Sequence, residues 1–211
     1  MPPSDRTGLF KLGGVGFVAS GLLFLLREIL DLMAGRPPSS GQEILAWVGA
    51  GKLFLSLGNE VLFFAGLALV PAVIALYLSL ADVDRAKAAT GCGIMAVVIP
   101  VLAVLGIVHG RLVYPVYGIH IGPAVAEYII GAFYGGLHAV RLLLAIATVV
   151  LSLAMRRGVY GAPIAFLGFT AAASDLIGAY GYALGPIPAL ITQVVSAAWF
   201  VAVGLRLYRL P

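Results

Sequence analysis

Charge is what this chain lacks most. Only 10% of its residues are Asp, Glu, Lys or Arg, while 62% are hydrophobic; a soluble domain of ordinary composition carries about 25% charge. That balance excludes a water-soluble globular domain. Cysteine is nearly missing too. Cys92 stands alone, which excludes an intrachain disulfide and a thiolate metal cluster. Histidine is as scarce. His109, His120 and His138 fall in no His-Glu-x-x-His run or other diagnostic spacing. A b-type haem takes two axial histidines on facing helices, and no apolar segment offers a partner for His138 at its depth. The last apolar segments hold no deep lysine for a retinal. No cofactor is expected, and no nucleophile–base pair marks an enzyme. Basic clusters with interleaved aromatics are absent as well, so the net charge of +4 does not point to nucleic acid.

What the chain has in quantity is long apolar runs. Each is long enough to cross a hydrocarbon core of about 30 Å as a helix. Six spans are expected, near residues 9–33, 61–81, 88–108, 124–154, 164–184 and 187–207. The first is too long for a signal-peptide core and has no small-residue cleavage site behind it, so it reads as a retained helix. Between the first two lies "ILAWVGAGKLFLSLGNE", amphipathic and glycine-containing, which reads as an interfacial or re-entrant helix. The expected fold is thus all-α: one transmembrane domain over residues 1–211, a polytopic bundle of six transmembrane helices plus that segment before the second span. Lys and Arg set the orientation. With the N-terminus inside, Arg6, Lys11, Arg85, Lys87, Arg156, Arg157, Arg206 and Arg209 fall on the inner side, and Arg36, Arg111 and Lys52 on the outer. The bias predicts a multi-pass cell-membrane protein with both termini cytoplasmic.

Against this background the ionisable residues inside the runs stand out. A charge at the bilayer centre costs at least about 2.5–3.5 kcal/mol, so such groups are functional candidates, though they also join helices or snorkel to an interface. In "EYIIGAFYGGLHAVR" the residues Glu127, Tyr134, His138 and Arg141 fall within about 60° on a helical wheel. Gly131 shares their face, and Thr148 and Ser152 continue it. Glu127 and Arg141 stand about 21 Å apart along the helix, so Arg141 needs a carboxylate from another span. Counted from the inner ends of their spans, Arg141 lies about 22 Å up, Asp175 about 18 Å, Gln193 about 20 Å, Arg27 and Glu28 about 24–26 Å, and His138 about 27 Å. They form one layer just outside the midplane.

The expected contact within this layer is an Arg141–Asp175 ion pair. Small residues beside Asp175, namely Ala171, Ala172, Gly178 and Ala179, permit close helix approach or leave room for a ligand. Arg27 and Asp31 are spaced to pair along the first span, with Glu28 about 100° round. Lys52, Ser56, Asn59 and Glu60 form a second polar stripe. Glu60, Glu127 and Lys52 are expected at an outer mouth leading to the layer. Pro71 and Pro100 sit mid-span, as ordinary kinks or as the breaks of discontinuous helices. His109, His120 and Glu127 offer a further outer metal site.

The segment "LFLSLGNEVLFFAGLALVPAVIALYLSLADVDRAKAATGCGI", with the Gly-rich start "LGGVGFVASGLLFLL" and the polar pair Asn59–Glu60, resembles an uncharacterised bacterial six-helix membrane family known only as a domain of unknown function. The resemblance implies the six-span topology and carries no activity.

Three functions are open to these residues; the third, a membrane enzyme using Glu127, His120 or His138 as acid, base or ligand, has no nucleophile–base pair or metal signature behind it. In the first, Arg141, Asp175, His138, Gln193, Glu28, Arg27 and Tyr134 line a site that binds or transports a small molecule or ion. In the second, the chain is a structural or accessory subunit whose polar layer only fixes helix packing. Partners expected are the lipid bilayer, a small-molecule or ion ligand in the first case, and a second copy or another membrane protein in the second.

Overall fold

A computed structural model describes residues 3–114 and 116–211, with side chains from Arg6 onward. Six helices account for most of it: α1 (Pro3–Ala34), α2 (Gly41–Val113), α3 (Pro123–Met155), α4 (Gly161–Gly178), α5 (Gly181–Leu184) and α6 (Pro186–Tyr208). No strand occurs among the described residues. Five helices are long and apolar enough to cross a membrane, so this is an integral, multi-pass helical membrane protein.

Helix α2 crosses twice. Its 73 residues would reach about 110 Å if straight, more than two bilayer thicknesses. Instead the chain leaves helical geometry at Asp84 (φ −156°, ψ 89°) and folds back. A Cβ built on Gly66 would lie 3.5 Å from Leu102. Further along, the Tyr114 hydroxyl donates to the Ser56 carbonyl at 3.2 Å. The two limbs are therefore antiparallel, and the bundle has six crossings.

The fold-back has a local cause. The Asp84 carboxylate accepts the Lys87 backbone N–H at 3.0 Å, the bond an N-cap makes to the third residue of a new helix. The Lys87 ammonium pairs with the same carboxylate. These two bonds, the ammonium first, hold the Asp84 carboxyl below its ordinary value of 3.8. A depressed carboxyl stabilises the fold fully above its unfolded pKa and loses that contribution as pH falls through the folded one. Asp84→Asn should therefore flatten the drop in melting temperature below about pH 4, as read by thermal scans of the purified protein across pH.

The helices close a ring: α1 packs on α6 and α2, the two α2 limbs on each other, α2 on α3, α3 on α4, and α4 on α6. The Gly-rich start of α1 makes the closest seam. A Cβ on Gly14 would stand 2.7 Å from the Gly204 carbonyl oxygen, and a Cβ on Gly204 would stand 2.6 Å from the Gly14 carbonyl oxygen. Backbone thus meets backbone, as small residues allow in membranes. Beside this seam Trp199 packs edge-on against Phe17 and Phe200, whose own rings are tilted to each other, with centroids 5.5–6.4 Å apart.

Several expectations change here. The segment 41–60 leads into the second span as expected, but as the start of α2, helical without interruption, so it does not re-enter. Its own first turn is capped from α3, where Glu127 accepts the Gly41 N–H at 2.6 Å. Neither Pro71 nor Pro100 breaks the helix, since Asp84 is its one non-helical residue. The third span, expected to end near residue 108, runs on to Val113.

The ring has two ends. One holds the start of α1, the Asp84 turn, the 156–160 turn and the end of α6. There Arg6 donates to the Leu78 carbonyl at 3.3 Å and Arg206 to the Val159 carbonyl at 2.7 Å. The far end holds residues 35–40, 114, 116–122 and 179–185.

Candidate functional site: a charged cavity at the far end

At its far end the ring is not filled. Helix α1 leans on α2 and α6, and α3 on α2 and α4, which leaves space between α1 and α3 below the α4–α6 connection. The space is a cavity of about 420 Å³, within the range of small-molecule pockets. Its walls carry Arg27, Glu28 and Asp31 from α1, and Tyr134, His138 and Arg141 from α3. Gly178, Ala179, Tyr182 and Pro186 close one side, while Arg36 and Pro37 stand at the rim.

One ion pair spans this gap. Arg141 donates from Nη2 to the Glu28 carboxylate on α1 at 2.8 Å and from Nη1 to the Thr192 hydroxyl on α6 at 3.4 Å. Glu28 is shared, with Arg27 Nη1 at 3.7 Å. Arg27 in turn pairs with Asp31 one helical turn on. All four side chains are at most 20% exposed. Two cations and two anions thus neutralise one another, which is what keeps four charges tolerable at this depth. Arg27 also lies over the Phe133 ring, 5.6 Å from its centroid, a favourable cation–π placement.

His138 completes the wall. Its Nδ1 lies 2.8 Å from the Ala179 carbonyl oxygen, and a carbonyl only accepts, so Nδ1 carries the hydrogen. Nε2 is left for another partner. The ring packs edge-on against Tyr180, centroids 5.2 Å apart.

The expected Arg141–Asp175 ion pair does not form. Asp175 is 3% exposed and accepts from the Ser196 hydroxyl at 2.6 Å. Rise per residue gives a position along a helix axis, but it does not fix azimuth. Asp175 faces α6, and Arg141 turns past Gly178 toward α1. A Cβ on Gly178 would stand 2.1 Å from Arg141 Nη1, so the small-residue face of α4 is what admits the guanidinium. Neither Asp175 nor Gln193 lines the cavity.

The expected outer mouth is elsewhere as well. Glu60 accepts from the Tyr114 hydroxyl at 2.7 Å, Glu127 caps α2, and Lys52 is exposed on the extended start of α2. None of the three borders the cavity. Glu127→Ala, which leaves the Gly41 N–H unpaired, should cost about 1 kcal/mol, measurable as reduced thermal stability with no change at the cavity. The outer histidine site does not assemble either. His109 is 3% exposed and stacks on Phe133 with centroids 4.2 Å apart. Among the described residues no three His, Cys, Asp or Glu side chains are grouped to hold a metal.

Some lining residues had no distinctive signal in the sequence. Arg36 reads as a loop residue and Tyr182 as one of the last residues of the fifth span; Thr192, which holds Arg141 from outside the wall, reads as an ordinary helical threonine. Asp31 was legible as the Arg27 partner but not as part of a cavity wall. Searches against protein-family models, curated proteins and solved structures find no match to this chain.

Proposed function

We propose that this membrane protein binds a small molecule or ion in the far-end cavity, as a carrier or receptor of the cell membrane. The observation that carries the proposal is the cavity itself: about 420 Å³ of space bordered by four mutually neutralised ionisable side chains. A network that served helix packing alone would be expected to close on itself without a void, since membrane helices associate through tight contact. The basic residues support an orientation in which the cavity opens outward. Arg6, Lys11, Arg85, Lys87, Arg156, Arg157, Arg206 and Arg209 gather at the end holding the termini, which the positive-inside bias puts in the cytoplasm.

One observation favours the accessory-subunit alternative: every charge in the quartet already has a partner. A space-filling variant separates the two. Gly131 borders the cavity, and a Cβ there meets nothing within 4 Å. Gly131→Trp should keep the melting temperature of the empty protein and abolish the melting shift of any small molecule that stabilises the wild type. A screen in which every stabilising compound acts equally on the variant would remove the cavity from the account.

A further inference from the structure

The donors and acceptors of the cavity wall do not balance, and the imbalance says what kind of molecule fits. Each guanidinium carries five N–H donors and no acceptor. Arg27, Arg36 and Arg141 face only two carboxylates, Glu28 and Asp31. Both carboxylates already face guanidinium groups, so an incoming cation finds no free counter-charge. Arg141 has two acceptors, Glu28 and Thr192, which leaves N–H groups to spare.

Arg36 is the second observation. It is exposed at the rim and makes no ion pair among the described residues. Its guanidinium lies over the turn into α6, with Nη2 3.2 Å from where a Cβ on Gly185 would stand. That is the N-terminal, positive end of the α6 dipole, a place that favours an anion over an arginine. Behind the charges the walls are apolar and aromatic: Ile130, Leu137, Tyr134 and Tyr182.

We infer that the occupant of this cavity is a small organic anion, an aryl or alkyl carboxylate class of molecule, whose acid group is received by Arg36 and the spare N–H groups of Arg141 while its body lies against Tyr134, Leu137 and Tyr182. The inference rests on the proposed binding role of the cavity and adds the charge of the ligand. Asp175, held by Ser196 behind Arg141, is outside the wall, and His138 contributes Nε2.

Three probes with one body and three charges test it: benzoate, benzamide and benzylamine, titrated against the purified full-length protein with melting temperature as readout and sodium chloride matched in each series. Benzoate should raise the melting temperature in a saturable way, and the other two should not. Arg36→Gln should weaken the benzoate midpoint about tenfold, the scale of one charge-assisted bond, and Arg36→Lys should recover part of it. Stabilisation by benzylamine or benzamide that matches benzoate, or a benzoate midpoint unmoved in Arg36→Gln, overturns the anionic class. If benzylamine acts instead and Gly131→Trp abolishes its effect, the cavity still binds and only the charge assignment falls. If none of the three probes acts, both fail.

Discussion

Arg141→Ala will destabilise the protein by about 3 kcal/mol, the lower part of the range for breaking a buried ion pair. The loss comes chiefly from what remains. Glu28, its side chain 12% exposed, would keep only Arg27 at 3.7 Å and would share that cation with Asp31. Arg27 therefore limits the damage but does not cancel it. Replacing both partners, as Arg141→Leu with Glu28→Leu, should return most of the stability, because apolar pairs of similar volume commonly equal buried ion pairs. Chemical unfolding in detergent of the two single variants and the double variant gives the coupling directly. If the double variant is as unstable as Arg141→Ala, the pair does not act as a unit.

The second large effect is steric. Gly204→Val should prevent the α1–α6 seam from closing. Its Cβ would fall 2.6 Å from the Gly14 carbonyl oxygen and 2.9 Å from the Val18 backbone nitrogen. Both obstacles are backbone, so no side-chain rotation relieves them, and the helices must separate. Overpacking costs typically 1–3 kcal/mol and on occasion more; a backbone obstacle on a seam that closes the ring belongs at about 3 kcal/mol or above. Folded yield and melting temperature should both fall. Gly8→Ala, at a position where a Cβ meets nothing within 4 Å, is the matched control and should change neither.

Much of this architecture was legible because the bilayer imposes it. Apolar length gave the crossings, and basic residues at their ends gave their grouping. Helical periodicity put Gly131, Tyr134, His138 and Arg141 on one face, and all four border the cavity. Pairwise contact was less legible. Rise per residue fixes depth to a few ångströms, whereas azimuth depends on packing between helices. Rise alone therefore points Arg141 to Asp175, which turns toward Ser196, and not to Glu28 across the gap. The small residues of α4 carried the missing information in Gly178, whose absent side chain lets the Arg141 guanidinium pass. The expected outer mouth differs from the structure for a related reason. Glu60 and Glu127 are polar at the correct end, but their polarity serves Tyr114 and the start of α2. Arg36, the residue that does stand at the rim, lies outside every helix, where no periodicity could mark it.

The proposed cavity is open to water at the end opposite the termini. The most direct measurement uses the chain's single cysteine. Cys92 is buried and can be removed as Cys92→Ala, after which Gly131→Cys carries the only thiol. A membrane-impermeant thiol reagent applied to intact cells should label Gly131→Cys. Arg36→Cys, at the rim, should label faster, and Leu151→Cys, fully buried nearer the other end, should not label at all. If Gly131→Cys is unreactive in intact cells yet labelled after denaturation, or is labelled only from the cytoplasmic face of inverted vesicles, the outward-open cavity is contradicted.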